Sequence, residues 1–92
     1  MAEKAIAARV EGRVQGVSFR AWTQEQARSR GLAGWVRNRS DGSVEALIQG
    51  PDDAVSSLLE RLREGPPAAR VTQVSEEETA ADPALRDFEI RR

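Results

Sequence analysis

Residues 5–11, AIAARVE, alternate in polarity, with Ile6, Ala8 and Val10 on one face and Ala7, Arg9 and Glu11 on the other. A period of two predicts a strand buried on one side. Residues 20–30, RAWTQEQARSR, hold no breaker before Gly31, and predict a helix that ends at a C′ glycine. Its apolar stripe is thin. Phe19, Thr23 and Ala27 recur at four-residue spacing, but Arg30 takes the next place on that face, so the helix depends on its neighbours.

In LAGWVRNRSDGSVEALIQG, two apolar-rich runs flank Asp41-Gly42, which predicts a hairpin closed by a two-residue turn with positive φ at both positions. GPDDAVSSLLERLREGPP follows, with Pro51 at the first helical position, Asp52 and Asp53 in the first turn, and Gly65 ahead of two prolines at the end. Val55, Leu58, Leu59 and Leu62 follow the i, i+3, i+4, i+7 rule of a helix with one buried face. ARVTQVSEEE has the β-branched content of a strand but imperfect alternation, expected of a bulge or an edge. ADPAL is a loop, and RDFEIRR ends the sequence as a last strand with Phe88 and Ile90 facing one way. The order is β-α-β-β-α-β with a short closing strand. It predicts an α+β, ferredoxin-like sandwich: an antiparallel sheet with two helices on one face.

With 92 residues, the expectation is one domain. Fourteen basic residues nearly balance 15 acidic ones, and the net charge of −1 provides no field for a nucleic acid backbone. Cysteine is absent, which removes disulfides, thiolate nucleophiles and sulfur-bound zinc. Histidine is absent too, and with it the usual general base near neutral pH, the hydrolase triads and imidazole metal sites. MAEKAIAARV does not read as a signal peptide, and no run approaches the roughly 20 apolar residues of a membrane span, so a soluble cytoplasmic protein is expected.

GRVQGVSFR, residues 12–20, joins the first strand to the first helix without an acidic residue. Gly12 and Gly16 permit positive φ and close backbone approach, successive N–H groups can converge with the helix N-terminus, and Arg20 offers a planar fork for phosphate oxygens. By spacing alone, an anion cradle and an ordinary connection both fit, and no nucleotide-binding glycine motif is present. Asn38, before the hairpin turn, suits a turn cap or an amide that orients a small molecule. Trp35 is expected in the core. Glu76, Glu77 and Glu78 point to alternate faces of a strand and read as a solvated patch rather than a cation site, and Asp52 and Asp53 read as dipole partners.

GRVQGVSFRAWTQEQA, then GLAGWVRN, DGSVEALIQGP and a closing DFEI, resembles the acylphosphatase family in motif, order and spacing over nearly the whole sequence. The resemblance implies a single acylphosphatase-like domain over residues 1–92, hydrolysing the carboxyl–phosphate bond of acyl phosphates with no metal or cofactor. It matches Arg20 to the phosphate-binding arginine and Asn38 to the water-positioning asparagine. Val14, Gln15, Gly16, Val17, Ser18 and Phe19 match the cradle whose backbone N–H groups bind phosphate. The partners it implies are the acyl phosphate and the inorganic phosphate product, for a monomer without nucleic acid or membrane contacts.

Ser18 stands where many members carry an aromatic residue, and Arg30 where a hydrophobic one often ends the first helix. Trp22 either flanks the pocket or covers the core. The competing reading is a phosphate-binding module of the same fold without turnover; the modules found in hydrogenase-maturation proteins are expected to bring cysteine-rich segments. An RNA-binding sheet should show exposed aromatics and a basic surface.

Overall fold

The computed structural model describes residues 3–92. Strand β1 (Glu3–Arg13) leads to helix α1 (Phe19–Ser29), strands β2 (Ala33–Asn38) and β3 (Val44–Pro51), helix α2 (Asp52–Glu64), and strands β4 (Arg70–Glu78) and β5 (Phe88–Arg91). The sheet order is β4-β1-β3-β2-β5. Both helices pack on one face: α1 over β2 and β5, α2 over β1, β3 and β4. Among the described residues, no helix is long and apolar enough to cross a membrane.

The ferredoxin-like plan expected from the element order is the one observed, with one difference in direction. β1, β3, β2 and β4 pair antiparallel, but β5 runs parallel to β2, from Gly34 beside Phe88 to Arg37 beside Arg91. The reason is the path of residues 79–87. They cross the uncovered face of the sheet, where Leu85 is buried and Gln49 exchanges hydrogen bonds with the Asp82 backbone at 2.8 and 2.9 Å. β4 already ends there, Glu78 lying beside Ile6 near the start of β1, so the chain crosses the sheet without changing ends and β5 sets out alongside β2.

Period-two alternation buries Ile6, Ala8 and Val10 of β1, and the helical stripes bury Phe19, Thr23 and Ala27 of α1 and Val55, Leu58, Leu59 and Leu62 of α2. Each large apolar side chain removed from water contributes about 1.5–3 kcal/mol. Thr23 is tolerated in this core because its hydroxyl donates to the Phe19 carbonyl at 2.8 Å. Arg30, at the odd place on the α1 face, does not open the packing. Its Nε donates to Ser57 Oγ of α2 at 3.0 Å and its Nη1 to the Gln26 carbonyl at 2.9 Å, joining the helices and covering a C-terminal carbonyl of α1.

Three local expectations are corrected. Trp35 is not core: Val36 beside it takes the covered face, and Trp35 lies half-buried on the other, with Arg37 and Arg91 guanidinium carbons 5.2 and 5.3 Å from its ring centre. Pro51 caps α2 rather than opening it, since its ψ of 139° is extended. The hairpin has a three-residue loop, not a two-residue turn. Arg39 N–H bonds the Ser43 carbonyl at 2.8 Å, and of Asp41 and Gly42 only Gly42 has positive φ.

β4 is both an edge strand and bulged, with Thr72 as the extra residue where Gly12 pairs with Val71. At φ +124°, a Cβ on Gly12 would overlap the Arg70 carbonyl oxygen. Gly12 therefore answers to the bulge rather than to the loop that follows it. Gly12→Ala is expected to destabilise the fold by about 2 kcal/mol, read as a lower urea midpoint with an unchanged slope.

Candidate functional site

Because β1 and β2 both run antiparallel to β3, and β5 runs parallel to β2, three carboxyl ends emerge together: Arg13 of β1, Asn38 of β2 and Arg91 of β5. The N-terminus of α1 arrives at the same end through residues 14–18. A cavity of about 210 Å³ opens there. Gly16, Ser18, Arg20 and Asn38 line it, and Val14, Phe19, Ala21 and Ile90 supply its apolar wall. A larger groove of about 380 Å³ lies at the opposite end of the sheet, but Lys4, its one lining cation, is paired with Asp52 at 2.6 Å.

The start of α1 favours an anion by what it lacks. The first intrahelical bond runs from Trp22 N–H to the Ser18 carbonyl at 3.0 Å, leaving the N–H groups of Phe19, Arg20 and Ala21 ahead of it. Ser18 makes no side-chain cap, and the first turn has no acidic residue, whereas α2 carries Asp52 and Asp53 there. The positive end of the α1 dipole is thus uncompensated by the protein. Ser18 holds φ 62°, a conformation costing an L-residue about 1–2 kcal/mol, and this keeps its hydroxyl out of the usual capping position. Gly16, at φ +74° with open space around a hypothetical Cβ, turns the loop toward the cavity.

Arg20 is half-buried, and its Nη1 donates to the Arg91 carbonyl at 3.0 Å. None of the ion pairs among the described residues involves it. Its guanidinium is therefore oriented by a neutral acceptor that leaves its charge unneutralised. Asn38 is half-buried at the end of β2. The turn-capping role open to it by sequence belongs to Asp41, whose Oδ1 accepts from Ser43 N–H at 2.9 Å and from Ser43 Oγ at 2.6 Å.

The Ser43 hydroxyl and N–H hold the Asp41 carboxyl below its ordinary value of 3.8, aided by Arg9 and Arg39. The charged form is the one that folding favours. Its contribution is complete above 3.8 and is lost as the pH falls through the lower folded value. Wild type is expected to melt above Asp41→Asn by a constant margin from about pH 7 to about pH 5, and the margin should close in more acidic buffer, in thermal scans of both proteins.

Gln15 and Val17 turn away from the cavity. Val17 packs against the core, while Gln15 Nε2 donates to the Arg39 carbonyl at 2.7 Å and the Ser43 carbonyl at 2.8 Å. Gln15 thereby ties the loop before α1 to the hairpin that carries Asn38. The sequence points only to its backbone N–H, although an amide side chain in a loop without acidic residues is a signal for such a strut. Ile90 lies on the cavity wall, whereas strand alternation makes it only a partner of Phe88 on one face. Trp22 flanks no part of the cavity: its ring packs on Phe19 with centres 5.5 Å apart, beneath the Arg61 guanidinium. Glu76 pairs with Arg63 at 2.8 Å, and the acidic run stays on the exposed edge strand.

A family model described as acylphosphatase matches residues 6–90. The acylphosphatase of Rhizobium meliloti is 54% identical over 97% of this chain and 94% of its own length. Among solved structures, the acylphosphatase of Bacillus subtilis superposes with a TM-score of 0.91 at 42% identity, over 96% of this chain and 98% of the other. That of Coxiella burnetii gives 0.92 at 42% identity, over 97% and 93%. With fold, length and sequence shared from end to end of these comparisons, this chain belongs to the acylphosphatase family.

Proposed function

We propose that this chain hydrolyses acyl phosphates to a carboxylate and inorganic phosphate at the cavity beside α1, using Arg20, Asn38 and the backbone N–H groups of residues 14–19, with no metal or cofactor. The observation that carries this reading is that an arginine without an acidic partner, an uncapped helix N-terminus and an amide without a turn to cap border one cavity. In the proposed reaction, Arg20 and the N–H groups neutralise the equatorial oxygens of the transferring phosphoryl group. Asn38 aligns a water in line with the departing carboxylate. A phosphate oxygen of the substrate accepts the water's proton as the P–O bond to the carboxylate breaks.

So sparse a site suits this substrate. A phosphate monoester expels a poor alkoxide and needs a nucleophile, a general acid or metal ions. An acyl phosphate is a mixed anhydride whose carboxylate leaves without protonation, so positioning and electrostatics suffice. The near-balanced charge and the absence of histidine and cysteine from the sequence fit that chemistry, and fit a monomeric cytoplasmic protein that handles small anions.

Purified protein given benzoyl phosphate and, separately, p-nitrophenyl phosphate tests the reading. Turnover of the first, much slower turnover of the second and no effect of EDTA are expected. Inhibitor-level phosphate binding without turnover would leave a binding module instead, and activity lost in EDTA and restored by a divalent ion would remove the metal-free mechanism.

A further inference from the structure

We infer that Ile90 seats the acyl group, so that acyl phosphates with an aromatic or branched apolar acyl part are the favoured substrates; this rests on the acylphosphatase reading above. Among the described residues, Ile90 is the one large hydrophobic side chain that is exposed, at 41%. It is not on a random surface: it forms part of the wall of the cavity that holds Arg20 and Asn38. Phe88, two residues earlier on the same strand face, is fully buried. The apolar face of β5 thus runs out from beneath α1 and ends in the cavity.

Position in the strand sets the geometry. The residue after Ile90 gives its carbonyl to Arg20, so the apolar side chain stands next to the guanidinium that would hold the phosphoryl group. The cavity of about 210 Å³ equals the liquid volume of about seven waters, more than a phosphoryl group and one attacking water occupy. Arg20 is its one charged lining residue. A carboxylate-bearing acyl group would find no second cation there, whereas an apolar one would cover Ile90 and remove both surfaces from water.

The test compares acetyl, isobutyryl and benzoyl phosphate. For wild type, KM is expected to fall along this series, as is the inhibition constant of the matching non-hydrolysable acyl phosphonates, which reads binding apart from leaving-group reactivity. Ile90→Thr keeps the β-branched shape that suits a strand but presents a hydroxyl. It should lower the benzoyl-to-acetyl ratio of kcat/KM about tenfold, while Ile90→Val stays within about a factor of two. A KM equal across the series, or a folded Ile90→Thr with the wild-type ratio, overturns the role of Ile90 while leaving the acylphosphatase reading in place. Hydrolysis of none of the three by wild type overturns both.

Discussion

Arg20→Lys is expected to lower kcat/KM for benzoyl phosphate by about three orders of magnitude, although the positive charge is kept. The guanidinium can hold two phosphate oxygens through parallel N–H bonds while another nitrogen remains on the Arg91 carbonyl, 3.0 Å away. An ammonium is a point charge that offers no such division of its donors. Arg20→Ala should go further and weaken inhibition by inorganic phosphate, because the ground-state anion loses its one side-chain cation. Folding should suffer little, since the bond surrendered is a single exposed one, worth about 1 kcal/mol. Either variant with normal turnover and unchanged phosphate inhibition would put the anion elsewhere.

Asn38→Ala separates chemistry from binding. With Arg20 and the residue 14–19 loop intact, phosphate inhibition should stay near the wild-type value. Turnover should fall by about two orders of magnitude, or roughly 3 kcal/mol of transition-state stabilisation. A purely structural asparagine predicts the reverse: a stability loss of about 1 kcal/mol and an unchanged rate per folded molecule. Asp41 already caps the hairpin through Ser43, which is why the first outcome is expected. Measuring kcat, phosphate inhibition and thermal unfolding on one preparation decides between them, and a destabilised but fully active variant would leave Asn38 as a turn residue.

Legibility in the sequence followed the range of the interaction. The stripe Val55, Leu58, Leu59, Leu62 and the alternation through Ile6, Ala8 and Val10 are properties of neighbouring residues, and both faces were read correctly. Trp35 was misread because alternation divides a strand into two faces without saying which one the helices cover. Asp41-Gly42 signalled a turn, but the choice between two and three loop residues depends on φ at Asp41, which its carboxylate settles by capping Ser43. The parallel direction of β5 depends on where residues 79–87 cross the sheet, and no local pattern encodes that. Arg20 and Asn38 were legible as candidates from residue type and position, and the motif resemblance gave each its role. Gln15 as a strut and Ile90 as a cavity wall were not, because each acquires its neighbours only in three dimensions.

The reach of the Arg20 bond has a kinetic meaning. It joins positions 71 residues apart, and the Gln15 bonds span 24 and 28 residues. No hairpin or helix formed early can hold such a site, because closing those long loops is an entropic penalty met only when the sheet assembles. Arg20 has no Arg91 carbonyl to orient it until β5 is seated beside β2. Catalysis regained during refolding from urea would then report the seating of β5 against β2.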